Sequence, residues 1–77
     1  MSASPVMLDT SGLKCPLPVL KARKAMRDVP PGGVLRVVAT DPGAVKDFEH
    51  FCKTTGYRLL AQREEAGKFI FEIERTG

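Results

Sequence analysis

The sequence predicts an α+β fold, a βαβαββ two-layer sandwich with two helices packed on one face of a four-stranded mixed sheet. Two observations carry that prediction. First, two stretches space their apolar residues by three and four, the period of a helix with one buried face, while four others are apolar-rich or alternate as strands do. Second, Gly and Pro clusters separate these stretches in the order strand, helix, strand, helix, strand, strand. A sheet with one apolar face and two helices with one apolar stripe each bury both by forming two layers.

Each element has its own signal. Val6 to Asp9 reads as a short strand, and Gly12 marks the turn after it. From Pro16 to about Val29 the pattern is helical, with Val19, Ala22, Met26 and Val29 on one face. Pro16 and Pro18 set where that helix begins, since proline is tolerated in a first turn and breaks a later one. Pro30-Pro31-Gly32-Gly33 stops it. Val34 to Thr40 follows as an apolar strand suited to the centre of a sheet. Asp41-Pro42 reads as an N-cap followed by proline. The second helix runs to about Thr54 and ends at Gly56. Its apolar face holds Ala44, Val45, Phe48, Phe51 and Cys52, and its polar face Lys46, Asp47, Glu49, His50 and Lys53. Tyr57, Leu59 and Ala61 alternate with Arg58 and Gln62. Phe69, Phe71 and Ile73 alternate with Lys68, Glu72 and Glu74. The turn Glu65-Ala66-Gly67 makes these a hairpin.

The 77 residues suffice for one small domain, 1–77, with residues 1–5 expected as a flexible N-terminus. Hydrophobic residues are 43% and charged residues 27%, an ordinary globular balance. No apolar run is long enough to span a bilayer. The first residues lack the basic-then-apolar pattern of a secretory signal, so a cytoplasmic protein with no membrane partner is expected. With no Trp, one Tyr and four Phe, the chain is poorly supplied with stacking platforms, and direct nucleic-acid binding is not expected.

The net charge is +3, and its excess is local. Lys14, Lys21, Arg23, Lys24 and Arg27 crowd one stretch, no acid lies between Lys14 and Arg27, and the chain from Pro31 on is balanced. That basic run reads either as a solvated helix face or as a docking surface for an acidic partner or a phosphate backbone. Two cysteines cannot make a disulfide scaffold, and with a single histidine they make a tetrahedral zinc site improbable. No metal and no cofactor is called for.

Function shows in Gly12-Leu13-Lys14-Cys15-Pro16-Leu17-Pro18. A cysteine is a nucleophile as its thiolate, and helix N-termini and neighbouring cations favour that form. Cys15 stands at or next to a helix N-cap with Lys14 beside it, so a lowered thiol pKa is expected. Pro16 and Pro18 remove two N–H donors, so they read as a rigid platform that aims Cys15 outward. The competing reading of Cys15 is a small buried residue at a strand end. Cys52, on the apolar stripe of the second helix, reads as a core cysteine, with a resolving thiol for Cys15 as the alternative. His50 reads as a surface histidine.

The run Leu8-Asp9-Thr10-Ser11-Gly12-Leu13-Lys14-Cys15-Pro16-Leu17-Pro18 resembles the signature of the TusA/SirA-like sulfur-carrier family, whose hallmark is Cys-Pro-x-Pro. Gly33-Val34-Leu35, Asp41, Asp47, Phe51-Cys52, Gly56, Leu59-Leu60 and Glu64-Glu65-Ala66-Gly67 also fit its pattern. The resemblance implies the same βαβαββ sandwich, similar to the C-terminal domain of a bacterial translation initiation factor. It implies that Cys15 accepts sulfane sulfur as a persulfide from a cysteine desulfurase or rhodanese-like donor. A sulfur-acceptor protein would then take it, for tRNA thiolation, sulfur oxidation or cofactor sulfuration. Such a carrier works by relay between proteins rather than by independent turnover. Gly12, Pro16 and Pro18 would be the structural part of the motif, and the basic residues a rim for partners. Leu17 departs from the acidic residue common in tRNA-thiolation members, and Phe48-Glu49 from a common Ile-Pro, so the branch stays open. A thiol redox protein using both cysteines, or a regulatory binding module, is the alternative.

Overall fold

The computed structural model describes residues 5–76. The N-terminal stretch expected to be flexible lies, but for Pro5, outside the described residues. The strands are β1 (Val6–Thr10), β2 (Val34–Ala39), β3 (Arg58–Glu65) and β4 (Lys68–Glu74), and the helices α1 (Leu17–Ala25) and α2 (Ala44–Thr55). They follow the predicted order and form one mixed sheet, β1-β2-β4-β3. β1 runs parallel to β2, and β4 is antiparallel to both β2 and β3.

Both helices cover the same face. Leu35, Val37 and Ala39 of β2 and Phe71 and Ile73 of β4 meet Ala22 of α1, Met26 just after it, and Phe48, Phe51 and Cys52 of α2. Phe48 anchors this layer, stacked on Phe71 at 4.5 Å between ring centroids and edge-on to Phe51 at 6.3 Å. Rings of that size dominate the area a small core can bury.

Five local expectations are corrected. β1 extends to Thr10, whose Cα pairs with Ala39 and whose hydroxyl donates to the Val38 carbonyl at 2.6 Å. The first helix is shorter than the run to Val29: it ends at Ala25, a 3-10 turn covers Met26–Asp28, and Val29 is extended at φ −92°, ψ 120°. Pro30 accounts for that, because the residue before a proline is pushed out of helical space. Val29 is nevertheless buried. β2 ends at Ala39 and buries alternate residues only, so one of its faces stays open. The N-cap of α2 is Gly43, not Asp41. In β3 a bulge between Leu59 and Ala61 inverts the alternation. Leu59 pairs with Ile73 and packs on the core, but Ala61 pairs with Glu72 and so faces the open side. The hairpin turn stands as expected, with Ala66 at φ 52° and Gly67 at φ 78°. Among the described residues no helix is long and apolar enough to cross a membrane.

Candidate functional site

Parallel pairing of β1 with β2 places their C-terminal ends side by side, Thr10 opposite Ala39. The connections that lead into α1 and α2 therefore meet above one edge of the core. Gly12 takes the left-handed conformation (φ 82°), which L side chains resist and glycine does not. Its N–H donates to the Thr40 hydroxyl at 2.8 Å, joining the two connections, and Leu13 N–H donates to the Thr10 carbonyl at 3.1 Å.

Cys15 follows, exposed, one residue before the Pro16 N-cap of α1. The Cys15–Pro16 peptide is cis. Pro18 is buried and Pro16 exposed, so the second proline roots the motif while the first presents it. α1 has no side-chain N-cap and no acid in its first turn.

The immediate surroundings of the thiol come from the other connection. The backbone N–H of Cys15 donates to Asp41 Oδ2 at 2.9 Å. Its Sγ–H donates to Asp47 Oδ2. Gly43 closes the group, since a Cβ there would stand 3.3 Å from Cys15 Cβ and 3.1 Å from Asp41 Oδ2. Asp41 thus caps the approach to α1 rather than its own helix.

The expectation of a lowered Cys15 pKa is overturned. The hydrogen bond to Asp47 raises it, with desolvation and the charges of Asp47 and Asp41 acting in the same direction. A negative carboxylate beside a thiol opposes ionisation, and here two carboxylates act on the sulfur. Asp47 was expected on the solvated face of α2. It stands half-buried instead, with Asp41 beside the sulfur. Both lie far from Cys15 in sequence, and no local spacing signals the contact.

Cys52 is 7% exposed, and burial pushes its thiol up to about 11. It is a core cysteine, as its place on the apolar stripe indicates. Cys15 and Cys52 are both free.

The basic residues are all exposed, but they do not gather at the thiol. Lys14 is next to Cys15 in the chain. Arg23 turns toward α2, its guanidinium 5.7 Å from the Phe51 ring. Lys21 and Lys24 turn the other way and line a groove of about 310 Å³ with Leu8, Ala25 and Asp28. Arg27 lies in the 3-10 turn after α1. Leu17 and Leu20, one turn apart on α1, are 45% and 52% exposed and extend the motif as an apolar step. Their signal is present in the chain: Leu20 falls off the stripe of Val19, Ala22 and Met26.

The family described as Sulfurtransferase TusA matches residues 6–75. The sulfur carrier protein TusA of Allochromatium vinosum is 54% identical over 69 residues, 90% of this chain and 91% of that protein. The sulfur carrier protein TusA of Pseudomonas aeruginosa is 44% identical over 69 residues, 90% of this chain and 87% of that one. Among solved structures, the SirA-like protein of Desulfitobacterium hafniense superposes with a TM-score of 0.80 at 22% identity, covering 94% of this chain and 99% of that one. Its likeness bears on the fold, and it is the same two-layer arrangement. With a family match over nearly the whole described chain and a relative more than half identical, this chain belongs to the TusA/SirA-like sulfurtransferase family.

Proposed function

We propose that the protein is a sulfur carrier whose covalent site is Cys15. The observation that carries this reading is the contrast between its two thiols: Cys15 is exposed at the head of α1 and Cys52 is buried in the core. The Cys15 thiolate attacks the outer sulfur of a donor persulfide. A new S–S bond forms at Cys15, the donor's S–S bond breaks, and the donor cysteine leaves as a thiolate. The Cys15 proton goes to solvent, and the sulfane sulfur keeps its oxidation state. An acceptor thiolate then repeats the step on the Cys15 persulfide.

The donor is a cysteine desulfurase or a rhodanese-like enzyme, and the acceptor is a protein serving tRNA thiolation, sulfur oxidation or cofactor sulfuration. Gly12, Pro16 and Pro18 hold the motif. Lys14, Lys21, Arg23, Lys24 and Arg27, spread around and beside α1, give this part of the chain a positive charge that steers acidic partner surfaces. The chain works as one domain in the cytoplasm, by relay rather than by turnover of its own. The test is intact mass spectrometry after incubation with a cysteine desulfurase, pyridoxal phosphate and cysteine, and separately with a rhodanese and thiosulfate. A gain of one sulfur atom that reduction removes and Cys15→Ser abolishes is expected. Loading retained in Cys15→Ser, or none from either donor, overturns the reading.

A further inference from the structure

The carboxylate of Asp47 is an unexpected neighbour for a sulfur that must act as a nucleophile. Asp47 sits one turn into α2 and reaches across to Cys15 Sγ, while Asp41 holds the Cys15 N–H from the connection before α2. Gly43 lets that connection pass close to the cysteine, since a Cβ there would stand 3.6 Å from its sulfur. Among the described residues neither aspartate has an ion-pair partner. The charged groups that act on the sulfur are thus Asp47 on α2 and Asp41 on the β2–α2 connection, with Lys14 its neighbour in the chain.

We infer that Asp47 is a positioning residue that restrains Cys15: it holds the free thiol as a hydrogen-bond donor and keeps it a slow nucleophile until that bond is broken. The inference rests on the reading of Cys15 as the sulfur carrier. The carboxylate acts in opposite ways on the two forms of the site. It attracts the S–H of the empty carrier, which lowers the thiolate fraction available to stray electrophiles. It repels the anionic outer sulfur of the loaded carrier, which turns that sulfur outward toward an acceptor. A donor that displaces the Sγ–H from Asp47 on docking would release the thiolate only where sulfur is on offer.

The test measures alkylation of Cys15 by iodoacetamide across the neutral to alkaline range, in the wild-type chain and in Asp47→Asn. Peptide mass spectrometry separates Cys15 from Cys52. The wild-type midpoint is expected above that of the same cysteine in the urea-unfolded chain. Asp47→Asn is expected to move the midpoint to lower pH and to raise the rate severalfold at neutral pH. Superimposable profiles in two folded chains overturn the inference. So does a rate changed by one factor at every pH, the mark of altered access alone. A wild-type midpoint at or below that of the unfolded chain overturns it too, whether or not the variant folds. No sulfur donor enters this assay, so the two readings fail separately. A shifted midpoint with no persulfide loading retains the restraint and removes the carrier, and loading with no shift does the reverse.

Discussion

The backbone N–H of Cys15 donates to the Oδ2 of Asp41 at 2.9 Å, bridging 26 residues of sequence. The bond ties the entrance of α1 to the entrance of α2 at the point where the proposed carrier residue stands. It is exposed, so water competes for both partners, and its contribution is about 1 kcal/mol rather than the larger value of a buried charged bond.

Asp41→Ala is therefore expected to lower the melting temperature by roughly 4–8 °C, the usual response of a domain this size to ~1 kcal/mol. Removal of the carboxylate also takes away one of the charges that raise the Cys15 pKa, so iodoacetamide labelling of Cys15 near neutral pH should accelerate. Thermal melts and labelling rates check the two halves independently. An unchanged melting temperature would show that the bond does not stabilise the fold.

Gly12→Ala meets no steric obstacle, since nothing lies within 4 Å of the added Cβ. Its cost is conformational, because the left-handed φ of 82° is disfavoured for an L side chain by about 1 kcal/mol or more. A lower urea midpoint with an unchanged slope is the expected result.

Phe48 is fully buried between Phe51 and Phe71. Phe48→Ala is expected to cost roughly 3–5 kcal/mol through lost burial and a residual cavity. That is a large part of what holds a domain of ordinary stability. Phe48→Leu keeps much of the volume and should cost roughly 1–2 kcal/mol. Urea titrations of the two variants give the ordering, and equal losses would contradict the placement of this ring at the centre of the core.

Cys52 sets an alkaline limit. Its pKa is pushed up to about 11 by burial, so the folded chain keeps a proton that the unfolded chain releases at lower pH. The unfolded state then binds fewer protons, and stability falls as pH rises from the ordinary thiol pKa toward about 11. Cys52→Ala should flatten that fall, which is on the order of 2 kcal/mol in full. Native chains should take one alkyl group at moderately alkaline pH and two in urea. Two labels on the folded chain would contradict the burial.

The element order, the two helix faces, the core position of Cys52 and the prominence of Cys15 were legible in the sequence. Each depends on local patterns: a period of three to four, a period of two, a proline in a first turn, a glycine at a turn. Ala61 marks where local reading stops. Its alternation is regular in the chain, yet a bulge opposite Ile73 and Glu72 turns it to the open face. The basic run marks another limit, for Arg23 and the pair Lys21 and Lys24 leave α1 in different directions and do not surround the thiol.

By itself, the sequence determined that a cysteine would stand before a proline-started helix in a βαβαββ chain. Only the tertiary structure decided what that cysteine would feel. Parallel pairing sets Thr10 beside Ala39, so the connections following β1 and β2 emerge together and bring Asp41 and Asp47 to Cys15. A charge acts through space, over a few ångströms, regardless of how many residues separate it along the chain. That is why the basic neighbours in sequence suggest a readily ionised thiol, and the acidic neighbours in space oppose its ionisation.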